Sequence, residues 1–355
     1  MNIDHLNRIT DILKGCSEQI KPLLYCTPLN GAQQKSRFLR GEIEAPEFQY
    51  RKIGYDPSAI NDLLQDITIP ECDLKDIFER KRTELLTANT IVMNIGRSEK
   101  IKELTMQLYG YPSKYLLEYS LKISKETPPA EQENTIPASR IKEKIETVLR
   151  ENKLIGWKVE LSDKRLTTVY SAENKIGVGR DRVVSEAELA RICIHEVLGH
   201  VFRCANGYAQ PLKIMGLGLP GYLDTEEGLA SFLEEKTGTL STERLRDCAL
   251  RVVAVDSVMK GKDFRKTFDI MKTEGLSDDQ AWDLTFRVFR GGGYIKDHIY
   301  LQGLVKIRKF AEEDGDFKTL YAGAIGLDDL TLVRNLLKKG ILRPPVYFPK
   351  ILETE

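Results

Sequence analysis

Apolar residues recur at helical spacing through most of the first 126 positions, so this part of the chain is predicted to be mainly helical. Candidate helices cover residues 4–20, 72–93 and 99–109, with turn-rich connectors at 53–58 and 66–70. Pro128 and Pro129, followed by polar residues, make 127–134 the best boundary, and a helix is expected over 138–152. Then the texture changes. Trp157, Val159 and Leu161 alternate with polar neighbours, which is the period of a strand. Residues 166–171 and 175–179 are two more short strand candidates, joined at Glu173-Asn174. Ser185 and Glu188 form a capping box that opens the next helix. Leu189, Ile192, Ile194 and Val197 carry its apolar face onward, and after Glu226 the pattern is helical almost throughout. The pattern as a whole predicts an α+β, mostly helical fold. It divides into a helical N-terminal region (1–126), a linker (127–137) and a domain (138–355) with a small sheet ahead of a buried helix.

Composition narrows the classes. Lysine plus arginine and aspartate plus glutamate number 53 each, so no bulk charge points to nucleic acid or an anionic membrane. The 41% hydrophobic content supports a substantial core. No window approaches the roughly 18 uncharged apolar residues of a membrane span. The opening Met1-Asn2-Ile3-Asp4-His5 has no basic stretch followed by an apolar one, so no signal peptide is expected. The cysteines at 16, 26, 72, 193, 204 and 248 show no CxxC spacing and fit a reduced, cytoplasmic protein. Cys193 and Cys204 flank the motif described next and read as small core residues.

The chain has only 4 histidines. Two of them stand five apart in His195-Glu196-Val197-Leu198-Gly199-His200, at the end of the capped apolar helix. Two imidazoles and an adjacent carboxylate are what a hydrolytic zinc site needs: the imidazoles hold the metal, and the carboxylate takes a proton from the attacking water. The spacing is one residue longer than in the common zincin helix. Four residues place two side chains about 40° apart around a regular helix, and five place them about 140° apart. The extra residue must be absorbed, most simply by a π-bulge at 197–199, and Gly199 lowers the steric cost there. The competing explanation is that the histidines are unrelated and Glu196 simply pairs with His200 one turn on.

A catalytic zinc usually has three protein ligands and one open position. His5 and His298 are far away in sequence, so a carboxylate from a following helix is the usual completion. Asp224-Thr225-Glu226-Glu227-Gly228-Leu229-Ala230-Ser231 starts like a helix, with Asp224 or Thr225 as N-cap. Glu227, Ala230, Ser231 and Glu234 lie along one face, and the small residues would let this helix approach another closely. Spacing leaves Glu227 and Glu226 both open as the third ligand, and also the plain alternative that these acids offset the helix dipole.

Four ordered motifs together resemble the tyrosine metallocarboxypeptidase family. They are His195-Glu196-Val197 with His200, Gly218-Leu219-Pro220-Gly221-Tyr222, Glu226-Glu227-Gly228-Leu229-Ala230, and Lys296-Asp297-His298-Ile299-Tyr300-Leu301-Gln302-Gly303. The resemblance is strongest over about residues 157–349. It implies a zinc peptidase of the gluzincin type, one Zn2+ per chain, with His195, His200 and Glu227 as ligands and Glu196 as general base. Two departures stand out. Leu198-Gly199 replaces the Gly-Thr common in the family's helix, and Glu226 occupies the place of the glutamine in its QEGLA motif.

The remaining roles follow from what such a reaction needs. A donor should stabilise the tetrahedral oxyanion, and His298 or Tyr300 is expected to serve; two residues apart, they cannot share a helix face. A core tyrosine and a structural histidine are the plain alternatives. A terminal carboxylate calls for a planar guanidinium. Arg287 and Arg290, just before Gly291-Gly292-Gly293-Tyr294, are candidates, with Lys296 third; a solvated helix face beside Phe286 and Phe289 is the alternative. The glycine run carries no phosphate fingerprint. The expected function is a cytoplasmic zinc metallocarboxypeptidase acting on the C-terminus of a peptide or protein, removing tyrosine or another bulky residue. An aminopeptidase or endopeptidase on the same scaffold is one competing reading, and a non-catalytic zinc-containing regulatory protein is the other.

Overall fold

The computed structural model describes residues 2–126, 134–163, 167–170 and 173–353. Contacts gather the chain into two units. The first comprises Asp11–Pro129 and Thr242–Gln302, and the second comprises Asn2–Thr10, Ala130–Ser241 and Gly303–Glu355. Residues 127–133 of the expected linker lie outside the described residues. Thr242–Gln302 groups with the N-terminal helices rather than with the rest of 138–355, an arrangement that hydrophobic periodicity does not reveal.

The described residues of the first unit form helices and turns. Helices Ile3–Gln19, Lys75–Met93 and Ser98–Tyr109 lie within a few residues of the three expected ones; the first of them starts in the second unit. Between the two expected connectors stands the helix Pro57–Gln65. Its Asp56 carboxylate accepts from the amides of Ser58 and Ala59, with Pro57 in the first turn. The Asp-Pro pair that reads as a turn is therefore a helix start. The core centres on Trp282, which packs against Phe38 and Phe264 at ring-centroid distances of 5.1 and 4.8 Å. Val255, Val258, Met271 and Val288 complete the same cluster.

The second unit carries the sheets. Strands β1 (Ile136–Pro137), β2 (Lys158–Ser162), β3 (Thr168–Tyr170), β4 (Lys175–Gly179) and β5 (Val183–Val184) make two small sheets, β1-β5 and β2-β4-β3. β2 runs parallel to β4, with Val159 opposite Ile176, and β3 runs antiparallel to it. Leu166 and Ser171, the ends of the second strand candidate, lie outside the described residues. Helix Ala138–Glu151 buries Ala138, Ile141, Ile145 and Leu149, one stripe at helical spacing, and packs on β2 and β4. The molecule is thus mostly helical with small sheets, as α+β patterning predicts. Among the described residues no helix is long and apolar enough to cross a membrane.

Candidate metal centre

Every side chain of the centre comes from the second unit. Ser185 Oγ accepts the amide of Glu188 (3.2 Å) and starts the helix Glu186–Cys193. The chain then winds as a π-helix from Ile194 to Val201 and returns to an α-helix over Phe202–Tyr208. In a π-helix the bond repeat is i→i+5, so residues five apart sit one above the other. The Phe202 amide accordingly reaches the Val197 carbonyl. The widened turn expected at 197–199 is present and extends over the whole motif. It brings the His195 and His200 rings edge to face, with centroids 4.8 Å apart.

Gly199 serves a different purpose from the one its position suggests. Its backbone needs no special conformation, but a Cβ there would lie 2.7 Å from the Ala230 Cβ. Ala230 belongs to the helix Leu223–Lys236, which carries both candidate carboxylates. On the same helix a Cβ at Gly228 would strike the backbone of Gly303 at 2.2 Å. Gly199 and Ala230 let the Glu227 helix pack closely on the metal helix, and Gly228 lets it pack on Gly303 of the helix Ile299–Glu312, as the run Gly228, Ala230, Ser231 suggests.

That approach turns Glu227 toward the histidines. Its Oε2 lies 3.5 Å from His195 Nε2 and 3.9 Å from His200 Nε2, and one donor from each of the three residues falls within a 4.8 Å group. Donors each about 2.1 Å from one tetrahedral ion stand roughly 3.4 Å apart, so the spacing fits an ion between them.

The other ring nitrogens are occupied. His195 Nδ1 donates to Glu234 Oε1 (2.6 Å), and His200 Nδ1 donates to Glu226 Oε1 (2.9 Å). With Nδ1 donating to a carboxylate, Nε2 of each ring faces Glu227, and loss of the Nε2 proton gives the tautomer a metal ligand needs. Each carboxylate is backed by a guanidinium. Arg191 Nη1 donates to Glu234 (2.8 Å), and Arg191 also donates to Glu188. Arg203 Nη1 donates to Glu226 Oε2. His200 therefore meets Glu226 and Glu227, and not Glu196 as the simple i,i+4 alternative supposed. Glu196 is half-buried, and its charge is felt by His195.

The electrostatics favour a cation. Burial pushes the His195 imidazole down, but hydrogen bonds to Glu227 and Glu234 and the charge of Glu196 raise it to about 9. Burial likewise opposes His200, whose pKa is nevertheless raised, chiefly by Glu226. Arg191 pairs with Glu234 and Arg203 with Glu226, and Arg182 feels the charge of Glu196, so three guanidiniums stand near the four carboxylates Glu196, Glu226, Glu227 and Glu234. Two nitrogens and one carboxylate suit a first-row divalent metal. Cys193 and Cys204 are buried free thiols, and burial lifts Cys193 to about 11, as expected of core residues rather than ligands.

The other sequence-derived candidates all lie in the first unit. His298 is fully buried with Nε2 3.0 Å from the Tyr109 carbonyl, the setting of a structural histidine. The Tyr300 ring lies beneath two guanidiniums, Arg251 at 4.9 Å and Arg244 at 5.7 Å. Arg287 and Arg290 both reach the fully buried Asp297, at 2.6 and 3.4 Å, and Arg290 is buried while Arg287 is partly exposed. Lys296 is half-buried.

Glu234, Arg191 and Arg203 were not read as functional from sequence. A signal exists: Arg191 stands four before His195, Arg203 three after His200, and Glu234 one heptad after Glu227.

Fold and site together define a mostly helical α+β protein with a buried histidine–histidine–glutamate centre suited to a divalent metal. The chain belongs to the family described as microtubule-associated tyrosine carboxypeptidase, whose model matches residues 26–355, nearly the whole length. Membership makes it a protein of a carboxypeptidase family, with a peptide or protein as substrate. No curated protein matches the chain.

Proposed function

We propose that the protein is a cytoplasmic, zinc-dependent metallocarboxypeptidase with a gluzincin-type catalytic region, removing a C-terminal tyrosine or another bulky residue. The observation that carries this reading is the convergence of His195 Nε2, His200 Nε2 and a Glu227 oxygen, with both Nδ1 atoms held by carboxylates. His195, His200 and Glu227 would hold the ion. Zinc held there would acidify a water and polarise the scissile carbonyl. Glu196, directly after the first ligand, accepts the proton of the attacking water and returns it to the leaving amine. Tyr300 is the proposed oxyanion donor, and His298, buried against the Tyr109 carbonyl, is left a structural role. For the terminal carboxylate we keep Arg287, Arg290 and Lys296. Arg287 comes first because its side chain is more exposed than that of Arg290, 25% against 9%. Six free cysteines suit the reducing cytoplasm.

The test has two parts. Elemental analysis of wild type, His200→Ala and Glu227→Ala, purified without added metal, should find about one zinc in wild type and none in either variant. Peptides with free C-termini should then be shortened by one residue while their amidated counterparts are not. Cleavage of amidated peptides would point instead to an endopeptidase or aminopeptidase. Zinc uptake with no turnover of any peptide would favour a non-catalytic role.

A further inference from the structure

A buried stretch of chain near the C-terminus touches both ligand-bearing helices of the metal centre through polar groups. In residues 320–327, Leu320, Tyr321, Ala322 and Ile325 have no exposed surface. Buried backbone groups need partners, and here side chains of the metal helix's continuation supply them. Arg203 Nε donates to the Leu320 carbonyl (3.1 Å) and Nη2 to the Ile325 carbonyl. Asn206 donates to the Tyr321 carbonyl (2.8 Å) and Gln210 to the Ala322 carbonyl (3.1 Å). Arg203 and Asn206 stand three apart on the helix Phe202–Tyr208 and Gln210 lies just past its end, so this helix and its exit hold the stretch along its length.

Two further contacts reach the site itself. The Tyr321 hydroxyl donates to the Leu198 carbonyl (3.0 Å), inside the widened turn between the two histidines. On the other side the Leu327 amide donates to Thr225 Oγ1 (3.1 Å), two residues before Glu227. Ala324 exchanges backbone bonds with Met215 and Leu219, 2.9 Å each, which ties in the loop ahead of the Glu227 helix. Arg203 places Nε and Nη2 on those two carbonyls while Nη1 holds Glu226, which in turn orients the His200 ring.

We infer that residues 320–327 are a brace of the metal centre, and that Arg203 and Tyr321 are the positioning residues through which it sets the His200 ring and the shape of the π-turn. This rests on the metal reading above. Neither residue is a ligand. Arg203 acts through Glu226, and Tyr321 acts through the Leu198 carbonyl.

Metal binding by the full-length chain tests this without reference to turnover. Zinc affinity is measured by competition with a chromogenic chelator, and site geometry by the visible absorption of Co(II) loaded in place of zinc. Tyr321→Phe removes one hydroxyl and should weaken zinc binding about 3- to 10-fold, with a shifted Co(II) spectrum. Arg203→Met should cost about 10- to 100-fold, as loss of an outer partner does at other metal sites. It also leaves Glu226 buried without its cation, so Arg203→Met/Glu226→Gln should recover part of the loss. Lys309→Gln, on the exposed face of helix Ile299–Glu312, should match wild type in both readouts. If Arg203→Met does not fold, Tyr321→Phe decides alone. Wild-type affinity and an unshifted Co(II) spectrum in Tyr321→Phe would overturn the brace while leaving the metal reading intact. A wild-type protein that takes up neither zinc nor cobalt would overturn the metal reading itself, and the brace with it.

Discussion

Two buried charge clusters in this molecule have opposite balance. In the second unit, Glu196, Glu226, Glu227 and Glu234 surround two histidines, with Arg182, Arg191 and Arg203 near them. In the first unit, Arg244, Arg251, Arg287 and Arg290 surround the buried Asp297 and the half-buried Asp247. Acids are in excess in one and guanidiniums in the other. Burying charge is costly unless it is paired, so each excess needs an answer. The arginine cluster finds part of its answer internally: Asp297 takes two guanidiniums, and the Tyr300 ring lies under two more. The acidic cluster instead turns three donors toward one point, where a cation is the missing charge. The arginine cluster keeps guanidiniums in excess, which suits an anion such as the terminal carboxylate proposed for Arg287 and Arg290, and the acidic cluster with its convergent donors suits a cation.

The sharpest way to break this contrast is Glu196→Gln. If Glu196 is the base and not part of the structural balance, peptide hydrolysis should fall about 100- to 10,000-fold while metal content and melting temperature stay at wild-type values. Loss of metal with the activity would assign Glu196 to holding the site together instead.

Asp297→Asn tests the other cluster. Burial opposes ionisation of Asp297, but Arg287, Arg290 and Arg251 hold its carboxyl far below the usual carboxylate range. A group whose folded pKa is depressed contributes stability above its unfolded pKa, about 4 for aspartate, and loses it as pH falls toward the folded value. The variant should therefore be about 3–5 kcal/mol less stable at pH 7. The gap to wild type should shrink in melts taken progressively below about pH 4. A rise in KM for free C-termini alongside the stability loss would tie the cluster to the terminal carboxylate as proposed for Arg287 and Arg290, and an unaltered KM would leave it a structural role alone.

Smaller effects probe geometry. Gly199→Ala puts a methyl 2.7 Å from the Ala230 Cβ and should cost about 1–3 kcal/mol in thermal unfolding, with weaker metal binding as the Glu227 helix is pushed away. Arg308→Ala removes a forked but partly exposed pair with Glu235, at 2.7 and 3.0 Å, and should change stability by less than about 1 kcal/mol. An effect as large as that of Asp297→Asn would mean that burial does not separate the important ion pairs from the others.

Much of the site was legible because its signals are local. A chain with 4 histidines that places two of them five apart announces a constraint, and helix geometry alone demanded the widened turn. The strand at Lys175–Gly179 and the helix Ala138–Glu151 were readable from period and length. The helix Pro57–Gln65 was missed because Asp56-Pro57 serves equally as a turn or as a cap, and only the two amides accepted by Asp56 distinguish them. Arg203 and Arg191 looked like ordinary helix arginines, since nothing in their own neighbourhood says that a carboxylate from another helix will meet them.

By itself the sequence determined the helical class, the capped helix that leads into the motif, the two histidines with their adjacent glutamate, and the need for a π-turn. All of these depend on residues within a turn or two of one another. Tertiary structure decided which of two adjacent glutamates faces the histidines. Glu226 and Glu227 point about 100° apart around their helix, so its rotation against the metal helix settles the matter. Close packing of Gly199 on Ala230 fits that rotation, which leaves Glu227 facing the two Nε2 atoms and Glu226 on the Nδ1 side of His200. The grouping of Thr242–Gln302 with the N-terminal helices was decided in the same way, because burial of an apolar face requires a partner but does not say which part of the chain provides it.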